Sequence, residues 1–146
     1  MEKINKFDEK QIFQLYAYLA AYEYGGFFKY KSTKSLLKEH PELKRIQEIN
    51  KLVDYEKSTN CEMKVADFLN FNNKILITKS RGNLLLSFLA HLRNSIAHGH
   101  AIEYNSNVLI TDFANPRYSP TDFTARGSVT LTVINEITNI LKLIKL

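Results

Sequence analysis

"AIEYNSNVLITDFANPRYSPTDFTARGSVTLTV", residues 101–133, is the stretch on which the fold turns. On either side of "NSN", Asn105 to Asn107, lie short β-prone runs, and this arrangement predicts a β-hairpin. The next segment, "ANPRYSPTDFTARG", has the Pro, Asn, Ser and Gly content of a loop. From Ser128 the chain closes with "SVTLTVINEITNILKLIKL", where Leu131, Ile134, Ile137/Thr138 and Leu141 recur at helical spacing. Read this way, the C-terminal third holds one small hairpin and one helix.

Upstream the periodicity is helical. Residues 8–24 carry Ile12, Leu15, Tyr16, Leu19 and Ala20 on one face, with Asp8 as N-cap and Gly25-Gly26 as the stop. A second helix is expected from Pro41, burying Leu43, Ile46, Ile49 and Val53, and a short one at 61–70. "NKILITKS", residues 73–80, is compatible with either a strand or a helix. Residues 82–98 are strongly helical. Four to five helices with one hairpin predict a mostly α fold, a single-domain helical bundle over 1–146.

The totals narrow the function classes. Of 146 residues, 45% are hydrophobic and 24% charged, a soluble globular composition. The apolar runs are too short to span a bilayer, so no membrane partner is expected. "MEKINKFDEK" has no apolar signal core, which makes the cytoplasm the expected location. Cys61, the lone cysteine, excludes an internal disulfide and a Cys-rich zinc site. Residues 1–73 hold 12 Lys+Arg against 11 Asp+Glu, and residues 74–146 hold 8 against 4. The second half is therefore the basic one, which suits a polyanion.

That half contains "HLRNSIAHGHA", residues 91–101, with three of the chain's 4 histidines. At about 100° per residue, Leu85, Leu89, Leu92 and Ile96 form an apolar stripe. Ser87, His91, Asn94, Ser95 and His98 share another side, polar and free of Lys and Glu. Such side chains suit a wall facing a ligand better than a solvent face. Asn94 and His98 are one turn apart, so the amide could hold one imidazole nitrogen and leave the other for proton transfer. Arg93 lies about 140° from His98 by the same count, on the flank. Two copies of the helix side by side would gather these groups in one cleft. A plainer use stays open: an Arg that pairs with a carboxylate and a His that caps the helix end before Gly99. No acidic residue or cysteine joins His91 and His98 in the helix, so neither a metal nor another cofactor is expected.

"LRNSIAHG", Leu92 to Gly99, resembles the signature of HEPN domains (higher eukaryotes and prokaryotes nucleotide-binding): Arg, a polar residue, further residues, then His. The likeness is closest over residues 82–113. It implies a helical bundle that forms a homodimer through the helix carrying Arg93 and His98. In many members it also implies metal-independent endoribonuclease activity in toxin–antitoxin or phage-defence systems, with RNA as substrate and an antitoxin protein as a candidate partner. Carried over by position, His98 is the acid/base, Arg93 the phosphate clamp and Asn94 the residue that orients them. His91, Ser95, His100 and Arg126 are expected to extend the RNA contact, with Lys79, Arg81 and Arg117 along the backbone. The alternative within the family is a non-catalytic module that binds nucleic acid or a protein. In the subclass paired with a small nucleotidyltransferase, a modified Tyr follows the motif His by two residues. Here that position is His100, and the nearest Tyr is Tyr104.

Overall fold

Asp8 opens the first helix as expected. Its carboxylate accepts from Gln11 N at 2.8 Å while Gln11 Oε1 accepts from Asp8 N at 2.9 Å, a reciprocal cap. The helix, α1 (Glu9–Gly25), stops where Gly26 takes φ +61°, a left-handed cap that a Cβ would strain. This computed structural model describes residues 4–58, 71–78, 80, 83–113 and 123–146. The helix expected at 61–70 lies outside them, as do Lys79, Arg81 and Arg117.

After a 3-10 turn at Phe27–Lys29 come α2 (Thr33–Glu39), a kinked 3-10 stretch Pro41–Glu48 and α3 (Ile49–Leu52). Leu43, Ile46, Ile49 and Val53 are buried, so the expected face is right and only the helix type differs. The expected helix over 82–98 forms as α4 (Leu84–Ala97). The closing helix, α5 (Leu131–Leu141), begins three residues later than its pattern implied.

The fold class differs from the expectation. The chain is not a mostly α bundle with one hairpin; its helices pack on a six-stranded mixed sheet. The strands are β1 (Ile4–Asn5), β2 (Asp54–Lys57), β3 (Lys74–Ile77), β4 (Ile102–Tyr104), β5 (Asn107–Phe113) and β6 (Phe123–Thr130). They lie in the order β1-β4-β5-β6-β3-β2, antiparallel throughout except for the parallel pair β2 and β3. The hairpin is where "NSN" placed it: Asn105 and Ser106 both have positive φ, the mirror-image turn whose twist matches paired strands.

What overturns the bundle is β6, which occupies the end of the expected loop and the start of the expected helix. Its core-facing residues are Ala125, Gly127 and Val129, so the strand presents almost no apolar alternation to read. Gly127 is required by packing: an added Cβ would lie 2.1 Å from Lys74 O on β3. The open choice at 73–80 resolves to strand over Lys74–Ile77. Ile75 and Ile77 face the core, and Leu76, on the other face, is also buried, hence an unbroken apolar run.

The core lies between this sheet and the helices. Val108, Ile110, Ala125 and Val129 meet the predicted α4 stripe of Leu85, Leu89, Leu92 and Ile96. α1 packs against both α4 and α5, and the Tyr18 hydroxyl donates to Leu89 O at 2.6 Å across the first of these contacts. α4 is thereby covered by sheet and helix, leaving exposed its end at Ala97, His98 and Gly99.

Candidate functional site

α4 starts on the Asn83 side chain, which accepts from Leu85 N and Leu86 N, and burial of its stripe of Leu85, Leu89, Leu92 and Ile96 sets the helix's rotation over β5. Of the polar stripe, His91, Asn94 and Ser95 meet the end of β5, whereas His98 at the helix end is exposed. Ser95 is fully buried, and its Oγ accepts from Thr111 N at 3.1 Å, beyond the last β4–β5 pair at Leu109. It has become a stitch between helix and strand, and its hydroxyl supports the wall from behind.

Nearer the surface the stripe joins a continuous polar line. The His91 Nδ1 lies 2.7 Å from Asp112 Oδ2, and Asn94 Nδ2 donates to the same oxygen at 3.1 Å. Asn94 Oδ1 accepts from an Arg93 terminal nitrogen at 3.1 Å, and Arg93 Nε donates to Glu23 Oε1 on α1 at 2.6 Å. Glu23 thus anchors the Arg93 end of the line, and Asp112 bridges Asn94 and His91. Asp112 is buried and Glu23 half exposed, so the first is a fixed support and the second a replaceable partner.

His91, Arg93 and Asn94 line a groove of about 630 Å³ between α1, α4 and the end of β5, with Tyr22, Phe28 and Phe113 on its walls. Burial raises the Tyr22 hydroxyl to about 12, helped by Glu23 and opposed by Arg93, so it stands there as a neutral hydrogen-bonding group. Among the described residues no group of three or more His, Cys, Asp or Glu is arranged to hold a metal ion.

The remaining expected site residues fall elsewhere. His98 is the C-cap of α4, exposed and outside the groove; its ring meets that of His100 edge-on at 6.2 Å. Asn94, expected to hold His98, is instead committed to Arg93 and Asp112, while its backbone carbonyl accepts from His98 N at 3.0 Å. The His100 ring stands edge-on to Phe113 at 4.7 Å, linking the helix end to the strand that carries Asp112. Arg126 alternates with Ala125 and Gly127 on β6, so it points to the face of the sheet away from α4 and does not line the groove.

Sequence reasoning missed both carboxylates. Asp112 was detectable in principle, because in "NVLITDF" it follows Val108 and Ile110 at the core-facing alternation, where a carboxylate needs a partner. Glu23 carried no such signal; it is one polar residue on a long helix. No protein-family model, curated protein or solved structure matches this chain. No described helix is long and apolar enough to cross a membrane.

Proposed function

We propose that this protein is a metal-independent endoribonuclease whose site is built on the end of α4, with Arg93 binding the scissile phosphate and His98 moving protons. The observation that carries this reading is the row Glu23–Arg93–Asn94–Asp112–His91 beside an open groove. It fixes a guanidinium at the edge of a cavity while leaving its ion pair solvent-accessible, so a phosphate can replace Glu23. The resemblance of "LRNSIAHG" to the HEPN signature supports the same roles, although the sheet departs from the bundle that the resemblance implied.

RNA brings its own nucleophile. A base takes the 2′-hydroxyl proton, the oxygen attacks the adjacent phosphate, an acid protonates the leaving 5′-oxygen, and Arg93 neutralises the charge that builds between them. The products are a 2′,3′-cyclic phosphate and a 5′-hydroxyl. Within one chain Arg93 faces the groove and His98 lies outside it, so a second copy packed at this helix end is part of the proposal. Toxin or phage-defence use, with a protein inhibitor, belongs to the same reading.

A second reading has its own observation. The 2.6 Å Arg93–Glu23 pair is a sufficient structural use for Arg93, which favours a non-catalytic module that binds nucleic acid or protein. End-labelled RNA incubated in excess EDTA with the wild type, His98→Ala and Arg93→Ala separates them. Cyclic-phosphate ends produced by the wild type alone establish the nuclease; equal cutting by all three, or none, leaves the binding module.

A further inference from the structure

Between Glu23 and Glu39 the chain contains no carboxylate. "YGGFFKYKSTKSLLK", residues 24–38, carries Lys29, Lys31, Lys34 and Lys38. All four are exposed, and no ion pair among the described residues takes up their ammonium groups. The balanced charge of the N-terminal half therefore conceals a basic segment immediately after α1.

The same segment separates two phenylalanines. After the left-handed turn at Gly26, Phe27 is 2% exposed and stacked on Tyr22, whereas Phe28 is 71% exposed. Phe28 also lines the groove that holds Arg93 and Asn94, as does Tyr30, with Lys29 Nζ 5.7 Å above the Tyr30 ring. An aromatic face thus stands bare at the mouth of a groove, flanked by unpaired cations.

We propose that residues 24–38 form a track for single-stranded RNA, with an unpaired base stacked on Phe28 and phosphates neutralised by Lys29, Lys31 and Lys34. This names the substrate class for the proposed nuclease and rests on that reading. A paired base has its faces covered by neighbours in the duplex, and only an unpaired one offers a ring to Phe28. A second copy of the chain is the poorer occupant, because it would bring four more lysines against these four. From the track the strand passes over Phe28 into the groove, where Arg93 takes the next phosphate.

The test uses the whole chain and a labelled 2′-O-methyl oligonucleotide of about twelve pyrimidines, a strand long enough for such a site. It lacks the nucleophile and cannot be cleaved. Affinity is measured by anisotropy from about 50 to 200 mM KCl. Phe28→Ala should weaken binding roughly 5- to 150-fold at every salt concentration, and Phe28→Trp should retain it. Lys29→Gln and Lys31→Gln should each flatten the log–log salt dependence by about 0.7. A fully abasic strand of the same length should bind wild type and Phe28→Ala alike.

Wild-type affinity in Phe28→Ala, or an unchanged salt slope in both lysine variants, overturns the track. So does a Phe28→Ala protein that turns from dimer to monomer with unchanged affinity, which would make the patch an interface between copies. A wild type that binds this strand but leaves ordinary RNA uncut defeats the nuclease and keeps the track. A wild type that cuts RNA, with Phe28 and lysine variants that bind like it, defeats the track alone. A wild type that binds no strand overturns the track, and one that also leaves ordinary RNA uncut overturns both.

Discussion

His91 on α4 and Asp112 on β5 are joined at 2.7 Å, and this contact ties the helix bearing the HEPN-like octet to the strand that follows it. Asn94 converges on the same carboxylate oxygen. A buried carboxylate with two side-chain partners is costly to remove from one side, since both partners lose their acceptor. Asp112→Ala should therefore lower the unfolding free energy by about 3 kcal/mol, and Asp112→Asn, which keeps the shape, by about half that. Urea denaturation with an unchanged slope measures both. Equal stability of Asp112→Ala and wild type would mean that the contact does not hold the site.

Arg93 should behave in the opposite way. Its pair with Glu23 is partly exposed, so Arg93→Ala should cost under about 1 kcal/mol of stability while removing phosphate binding. Glu23→Gln tests the same competition from the other side. Freed from its carboxylate, Arg93 should bind RNA more tightly, severalfold at low salt and less at high salt. Weaker binding by Glu23→Gln would show that Glu23 positions the guanidinium and does not compete for it.

These residues show where the sequence was legible. α4 and the "NSN" hairpin were readable because each couples a strong period to a local stop, Gly99 and the Asn105–Ser106 turn. α1 was readable in extent, from Asp8 to Gly26, but its inner face is Leu15, Tyr18, Ala21 and Tyr22, while Ile12, Tyr16 and Ala20 of the expected face are exposed. β6 was not, because its inner face is Ala125, Gly127 and Val129, small enough for β3 to approach closely. β2, "DYEK", is an edge strand with only Tyr55 turned inward, flat against Phe88 at 5.3 Å. Missing those two strands turned a mixed sheet into an apparent bundle. At the site, helix geometry alone could show neither that Asn94 would face Asp112 rather than His98 nor that His98 would stand apart from His91 and Asn94. That depends on β5, a long-range neighbour.

Two glycines offer a check on the sheet. Gly127→Ala should cost about 3 kcal/mol, near the top of the usual range for overpacking, because its Cβ would meet the Lys74 carbonyl and Ile75 Cα, both backbone. Gly99 has φ +73° but open space around it, so Gly99→Ala should cost only the left-handed strain, about 1 kcal/mol. Thermal or urea unfolding of the two variants gives the comparison. A tolerated alanine at 127 would contradict the close β3–β6 approach and, with it, the sheet order.

Alkaline pH probes the α1–α4 contact behind the groove. Burial raises the Tyr18 hydroxyl well above 10 and the Tyr22 hydroxyl to about 12; both lie on the buried side of α1, and Tyr18 donates to Leu89 O. Below about pH 10 the folded and unfolded chains both keep these protons, so the tyrosines stabilise the fold in full. As pH rises beyond that, the unfolded chain loses them first and stability falls, by up to about 1.4 kcal/mol per pH unit for each group. Urea midpoints should therefore decline steeply between about pH 10 and 12. Tyr22→Phe should lessen the decline while leaving neutral-pH stability nearly unchanged, since only its proton equilibrium is removed. An equal decline in Tyr22→Phe would place the alkaline transition elsewhere and leave the neutral hydroxyl at the groove wall without support.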